Sequence, residues 1–401
     1  MFVNIFLFNI EILGYFVYNY DRYVYKTIFQ ENIMKILVFS ASTGGGHKRA
    51  AAALKEYIEA NSENTEVRIT DGLAIAGKAY NKFVCDGYTT VAKAAPKFYG
   101  RLYKNSDKQS KLNDLCNGVN KRKGKQLLPE INEYNPDVII SCHAFTSTML
   151  GELKTKGEIK IPVISLITDF APHYTYIAEG IDHYIVSSEK MVAAFKTRFN
   201  IDSSRVHAFG IPTFEKFSIE PEDKGELKER LGLNKDEKVI LFMAGSWGVT
   251  EVLDIYKDIA DKTDNCQFVV ITGNNKKLYE KFEKATNDKT ILKQFVDNVE
   301  DYMHSSDLII TKPGGLTVSE SLQCALPMAI YSAYPGQEAE NADFLVESGV
   351  ALLLKKHPGE TVSALINFDS KLKEMSECCR RVCRGNSPKQ ILELINRILA
   401  E

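Results

Sequence analysis

Short apolar runs recur along this chain, and stretches with helical periodicity separate most of them. Lys35–Ser40, Glu66–Thr70, Asp137–Cys142, Pro162–Thr168, His183–Ser188 and Val206–Gly210 each read as a strand. Between the first two, His47–Ala60 places Ala50, Leu54, Tyr57 and Ile58 on one helical face. Phe214–Asp236 is polar, carries Pro221 and reads as a linker. The pattern then restarts, with strands expected at Val239–Ala244, Phe268–Thr272, Leu308–Thr311, Met328–Tyr331 and Val350–Leu354 and a final helix at Pro388–Leu399. Strands that are apolar throughout and alternate with helices predict α/β halves, each a parallel sheet covered on both faces. The expected domains are 34–213 and, after a linker at 214–236, 237–401 with its final helix.

Residues 1–33 stand apart, with ten aromatic side chains and no helical or strand period. They lack the basic start and small-residue cleavage site of a signal peptide, and Asn4, Asn9 and Glu11 interrupt any apolar span. The segment reads as upstream DNA translated ahead of a true start at Met34; a membrane-surface anchor is the other reading.

Each half opens with a strand followed by a Gly-rich turn and a helix. In doubly wound sheets ligands bind beyond the carboxyl ends of the strands, and helix N-termini favour anions. The first turn, Ser42-Thr43-Gly44-Gly45-Gly46-His47, matches neither a P-loop nor a dinucleotide fingerprint, since His47-Lys48-Arg49 follows the glycines. It presents an imidazole that can take a hydroxyl proton; the competing reading is a histidine that only meets solvent. In the second half Gly245-Ser246-Trp247-Gly248 is the equivalent turn. Thr311–Glu320 is another strand-to-helix turn, where Gly314 and Gly315 allow close backbone approach and Thr317 can donate to an anion. Glu320 can accept two hydrogen bonds from a diol, or it can be the acid of a capping box with Thr317. Gln337, Glu338 and Asn341 suit sugar hydroxyls, which both donate and accept. Asp169 and His173 follow a further strand and can orient His47 or an acceptor hydroxyl, or simply form turns; His143 is a weaker candidate of the same kind.

The net charge of −2, from 50 basic and 52 acidic residues, sets nucleic acid aside as a partner. That sum hides a stretch from Lys78 to Gln126 with twelve Lys/Arg against three Asp, a local +9. Lys93, Lys97, Arg101 and Lys104 interleave there with Phe98 and Tyr99, a composition suited to an anionic lipid surface or to a solvated helix face. The eight cysteines form no metal-ligand pattern; Cys378, Cys379 and Cys383 cluster, with His357 the nearest histidine in sequence, and read as buried thiols. No Asp-x-Asp occurs, so no metal or other cofactor is expected.

Five segments together resemble glycosyltransferase family 28, in its monogalactosyldiacylglycerol synthase and diacylglycerol glucosyltransferase branch. They are Gly44–Ala51 (GGGHKRAA), Thr168–His173 (TDFAPH), Gly210–Pro212 (GIP), Lys312–Glu320 (KPGGLTVSE) and Pro335–Asn341 (PGQEAEN), and they occur in family order. The resemblance implies a GT-B fold and inverting, metal-independent transfer of glucose or galactose from a UDP-sugar to diacylglycerol. It implies that His47 is the base and that Gly44, Gly45 and Gly46 with His173 line the acceptor side. Gly245, Ser246, Gly248, Gly314, Gly315 and Thr317 would hold the diphosphate and Glu320 the ribose. Gln337, Glu338 and Asn341 would hold the sugar, and the backbone at Phe295–Val296 would meet uracil. The enzyme would work peripherally at the cytoplasmic face of a membrane, against anionic lipids. A tryptophan expected shortly after TDFxxH is Tyr176 here. Related activities stay open: N-acetylglucosamine transfer to a polyprenyl lipid, UDP-sugar epimerisation, or UDP-sugar sensing without turnover.

Overall fold

The computed structural model describes residues 33–42, 45–82, 84, 95–107, 118–243, 251–331, 333 and 335–401. Two six-stranded sheets organise the chain, and every strand pair in them is parallel. The first contains β1 (Met34–Ser40), β2 (Thr65–Asp71), β3 (Val138–Ser141), β4 (Val163–Leu166), β5 (His183–Ile185) and β6 (Val206–His207), in the order β2-β1-β3-β4-β5-β6. The second contains β7 (Lys238–Met243), β8 (Cys266–Ile271), β9 (Thr290–Lys293), β10 (Leu308–Thr311), β11 (Met328–Ile330) and β12 (Ala351–Leu353), in the order β12-β11-β10-β7-β8-β9. Strand order reverses beside β1 in the first sheet and beside β7 in the second, which places a ligand crevice at each of those points. Ile36–Phe39, Val138–Ile140, Val239–Phe242 and Leu308–Ile310 are fully buried, as strands covered on both faces require.

The helices that matter for the site are α1 (Gly46–Asn61), α2 (Pro96–Ser106), α3 (Ala144–Thr155), α4 (Glu189–Phe199), α5 (Lys224–Arg230), α6 (Gly315–Gln323), α7 (Gln337–Glu347), α8 (Asp369–Val382) and α9 (Ser387–Ala400). Three features depart from the sequence expectation. Strand β9 was not expected: it is an edge strand whose four residues are half-buried or exposed, so it lacks an apolar signature. The segment 214–236 is not all linker. It contains α5, which buries Leu227 and ties Lys224 to Asp307 at 2.9 Å, so it packs on the second half.

The third departure concerns the final helix. Placed by sequence with the second half, α9 crosses back and buries Ile391, Leu394 and Ile395 against Ala51, Leu54 and Ile58 of α1. Its apolar face matches the groove left on α1, and Ser387 Oγ anchors its start by donating to Gly210 O at 2.9 Å. The halves are joined further by a core that mixes Ala50, Phe170 and Ile211 with residues of the second sheet. Phe170 stacks on Phe344 at 5.3 Å between ring centroids. Among the described residues no helix is long and apolar enough to cross a membrane.

Candidate active site

The carboxyl ends of the two sheets face each other, and two helix starts meet there. Strand β1 leads into α1, whose first turn carries Gly46 and His47; β10 leads into α6, which begins at Gly315. A carbon built on Gly315 would lie 1.9 Å from the Thr168 carbonyl oxygen, and one built on Gly46 would lie 3.8 Å from Leu316 Cβ. The start of α6 therefore rests directly on the loop after β4. Only a glycine permits that approach.

His47 is half-buried in this cleft. Its Nδ1 lies 3.1 Å from Thr168 Oγ1, and its ring meets that of His143 edge-on at 5.0 Å. Burial holds the His47 imidazole below its ordinary 6.5, against the opposing pull of the Asp169 carboxylate and a hydrogen bond that the ring donates to the Cys142 carbonyl. Neutral imidazole, the form that accepts a proton, is therefore favoured at neutral pH. His143 serves the backbone instead, since its Nδ1 accepts from Phe145 N at 3.2 Å and caps α3. Burial and the neighbouring His47 push its pKa well down.

Asp169 is buried and bonded from three sides. The Tyr176 hydroxyl and Gln337 Nε2 (2.7 Å) donate to its Oδ2, and Asn341 Nδ2 donates to its Oδ1 at 3.2 Å. Asn341 also accepts from Phe170 N at 2.8 Å and donates to Pro313 O at 3.1 Å. At 1% exposure its amide is spent on linking the two halves, so Asn341 is a staple in this state rather than an open sugar contact. Asp169 in turn acts on His47 through charge, while Thr168 touches the ring. Tyr176, in the place of the expected tryptophan, puts its hydroxyl into the same cluster.

His173 is buried too, and both ring nitrogens are engaged. Nδ1 accepts from Thr175 N at 3.2 Å, and Nε2 lies 3.2 Å from Tyr103 O. Its ring packs on Tyr103 at 4.1 Å. This histidine ties the loop after β4 to Tyr103 of α2. Helix α2 is wedged against the second half: Tyr103 Oη donates to Glu340 at 3.2 Å, and a carbon on Gly100 would lie 2.6 Å from Pro335 Cβ. Tyr99, expected at a lipid surface, is 7% exposed and packs over Gly336 instead, where φ is +110°. The outward face of α2 carries Phe98, Arg101, Leu102 and Lys104.

Glu320 lies about a turn and a half into α6, 1% exposed, with Oε1 2.7 Å from Arg49 Nη2 across the cleft. The capping-box alternative fails, because α6 begins at Gly315 and Thr317 already lies inside it. Burial raises the Glu320 carboxyl to about 7, even with the Arg49 guanidinium pulling it down. Thr317 and Gly314 sit half-buried at the same helix start, and Gln337 and Glu338 open α7. Val296 lies just beyond β9, packed on the second core, with Phe295 exposed beside it. Gly44, Gly245, Ser246, Gly248, Lys93 and the Lys97 side chain lie outside the described residues, as do 1–32. Cys379 is a core thiol, its Sγ 3.6 Å from Leu326 O, and no cluster of metal-ligating side chains occurs among the described residues.

Two residues of the site, Arg49 and Thr168, are not singled out by the sequence pattern. Thr168 is visible within TDFxxH, but nothing local shows that it meets His47. Arg49 in sequence serves only to disqualify a dinucleotide fingerprint; its position two residues after His47 is the available signal.

Two facing doubly wound domains, with a Gly-rich helix start from each opposed across one cleft, define a GT-B protein. The solved structures it resembles include MurG of Acinetobacter baumannii (TM-score 0.61, 14% identity, covering 91% of this chain and 99% of that one). Another is S. aureus MnaA, solved with UDP (TM-score 0.62, 15% identity, 92% and 97%). Residues 47–213 match the family model for monogalactosyldiacylglycerol (MGDG) synthase, and residues 239–382 match the glycosyltransferase family 28 C-terminal domain. The chain belongs to glycosyltransferase family 28, in its monogalactosyldiacylglycerol synthase branch. Similar proteins include the processive diacylglycerol beta-glucosyltransferases of Bacillus pumilus (29% identical, 90% of this chain, 94% of that protein) and Staphylococcus epidermidis (28%, 90% and 93%).

Proposed function

We propose that this glycosyltransferase moves a hexose, glucose in preference to galactose, from its UDP-sugar to the sn-3 hydroxyl of diacylglycerol, with inversion and without a metal ion. The observation that carries this reading is the meeting of the His47 and Gly315 helix starts across one cleft, in a chain matched along most of its length by diacylglycerol glucosyltransferases. His47 takes the hydroxyl proton as the acceptor oxygen attacks the anomeric carbon. The bond from that carbon to the phosphate oxygen breaks on the opposite face, and UDP departs with the electron pair. The N-terminus of α6 stabilises the diphosphate by its unpaired amides and dipole. Glu320 accepts the ribose hydroxyls, and Gln337 and Glu338 reach the sugar. In-line displacement turns an α-linked donor into a β-glycoside.

The outer face of α2 supplies the approach to lipid. Phe98 is 58% and Leu102 38% exposed, with Arg101 and Lys104 beside them. Apolar side chains at the headgroup boundary and cations against anionic lipid suit peripheral binding at the cytoplasmic face.

The test is incubation with UDP-[14C]glucose or UDP-[14C]galactose and diacylglycerol vesicles in EDTA. Labelled glycolipid, more from glucose, is expected. No product from either donor refutes the reaction, a strict metal requirement refutes the mechanism, and sugar interconversion without lipid points to an epimerase.

A further inference from the structure

The Arg49–Glu320 ion pair occupies a group that the bound nucleotide needs. Glu320 is fixed: it is 1% exposed on α6, and burial already presses its carboxyl toward the neutral form. Arg49 is not fixed. Its side chain is 41% exposed, and its guanidinium reaches Glu320 from the opposite domain at 2.7 Å. A buried carboxylate with neither a countercharge nor hydrogen-bond donors is strongly disfavoured, so Arg49 supports Glu320 until ribose hydroxyls replace the guanidinium as donors. A ribose diol arriving at Glu320 brings hydrogen-bond donors but no charge. The charge it brings lies further along the nucleotide, on the diphosphate.

The anchor of Arg49 is close to where that diphosphate would lie. Its backbone N donates to Gly45 O at 3.1 Å, placing it on the first turn of α1, whose Gly46 faces Leu316 on the first turn of α6. We propose that Arg49 is an exchanged cation. It pairs with Glu320 while the site is empty; when ribose takes Glu320, the guanidinium moves to the diphosphate held at Gly314–Thr317. Arg49 then orients the donor and counters the charge that grows on the departing UDP. A guanidinium suits this role because it offers parallel N–H groups to phosphate oxygens and stays charged throughout. The proposal rests on the donor site assigned above.

The test is calorimetric binding of uridine and of UDP to the full chain and its variants. Arg49→Ala should weaken UDP by about tenfold or more, the weight of one lost charge-assisted contact, and leave uridine unchanged or tighter because Glu320 is no longer occupied. Arg49→Lys keeps a countercharge for Glu320, and hence the fold, and should give an intermediate UDP-to-uridine preference. Equal changes for uridine and UDP, or none, overturn the proposal. Failure of the unaltered protein to bind UDP refutes instead the donor site on which it rests.

Discussion

Adding one methyl group at Gly315 tests the geometry of the cleft. A Cβ there would lie 1.9 Å from the Thr168 carbonyl oxygen and 3.2 Å from Ile211 Cδ1. Carbon and oxygen approach no closer than about 3.3 Å even in favourable C–H···O contacts, so the two loops must part by roughly 1.4 Å. The backbone of Thr168 cannot yield alone, because Asp169 and Phe170 next to it are bonded to Asn341. The movement is therefore taken up between the halves, which separates His47 from the start of α6. A misplacement of about 1 Å costs on the order of 100-fold in rate. Gly315→Ala should accordingly lower kcat/KM for sugar transfer by about that factor. Each half keeps its own sheet and core, so the protein should remain folded and lose about 1–3 kcal/mol of stability, as for an overpacked site. Gly118→Ala is the control, since a carbon there meets nothing within 4 Å. Radiometric transfer assays on both variants, with thermal unfolding alongside, give the result. Transfer by Gly315→Ala within threefold of the unaltered protein would refute this arrangement of the cleft.

Other expectations follow from the same contacts. Glu320 holds its proton more tightly folded (about 7) than unfolded (4.5), so its contribution to stability is lost as pH rises through that window. Glu320→Gln should gain on the unaltered protein by as much as about 3 kcal/mol between pH 5 and pH 8 in chemical denaturation; a difference that does not change with pH contradicts this. Asn341→Ala strips two hydrogen bonds between the halves, to Phe170 N and Asp169, and a third within the second half, to Pro313 O, and leaves buried partners unpaired. It should cost about 2–3 kcal/mol and enlarge the radius of gyration in small-angle scattering, whereas an unchanged radius argues against the staple. Arg101→Glu with Lys104→Glu should weaken binding to anionic vesicles by at least ~2 kcal/mol, and unchanged cosedimentation at low salt counts against α2 as the docking face.

How much of the fold and site is legible in the sequence depends on how local each cause is. Strands such as β1 and β10 announce themselves because burial on both faces demands continuous apolar runs. Strand β9 does not, since an edge strand with an exposed Lys293 needs no such run. The apolar face of α9 is readable, but its partner, the groove on α1 more than 300 residues earlier, is set by tertiary fit. The same limit applies within the site. TDFxxH and PGQExxN are each visible as polar motifs after strands, yet the bonds from Asp169 to Gln337 and Asn341 span about 170 residues and belong to the packed state. Tyr99 reads as outward-facing because an aromatic side chain beside lysines suits a surface, and His173 reads as a partner of His47 or of an acceptor hydroxyl because it follows a strand in TDFxxH. Their actual neighbours, Gly336 and Tyr103, come from the opposed domain and from a separate helix.

In the proposed reaction, transfer to diacylglycerol turns on removal of the acceptor proton by His47, and one comparison reaches that step directly. The unaltered protein and His47→Ala are given the same UDP-[14C]glucose and the same diacylglycerol vesicles, with UDP affinity measured on both. Loss of a general base costs about 10²–10⁴ in rate. Labelled glycolipid is expected from the first, a fall of at least ~100-fold from the second, and similar UDP affinity in the two. Transfer by His47→Ala at the unaltered rate would contradict the assignment of His47 as the base.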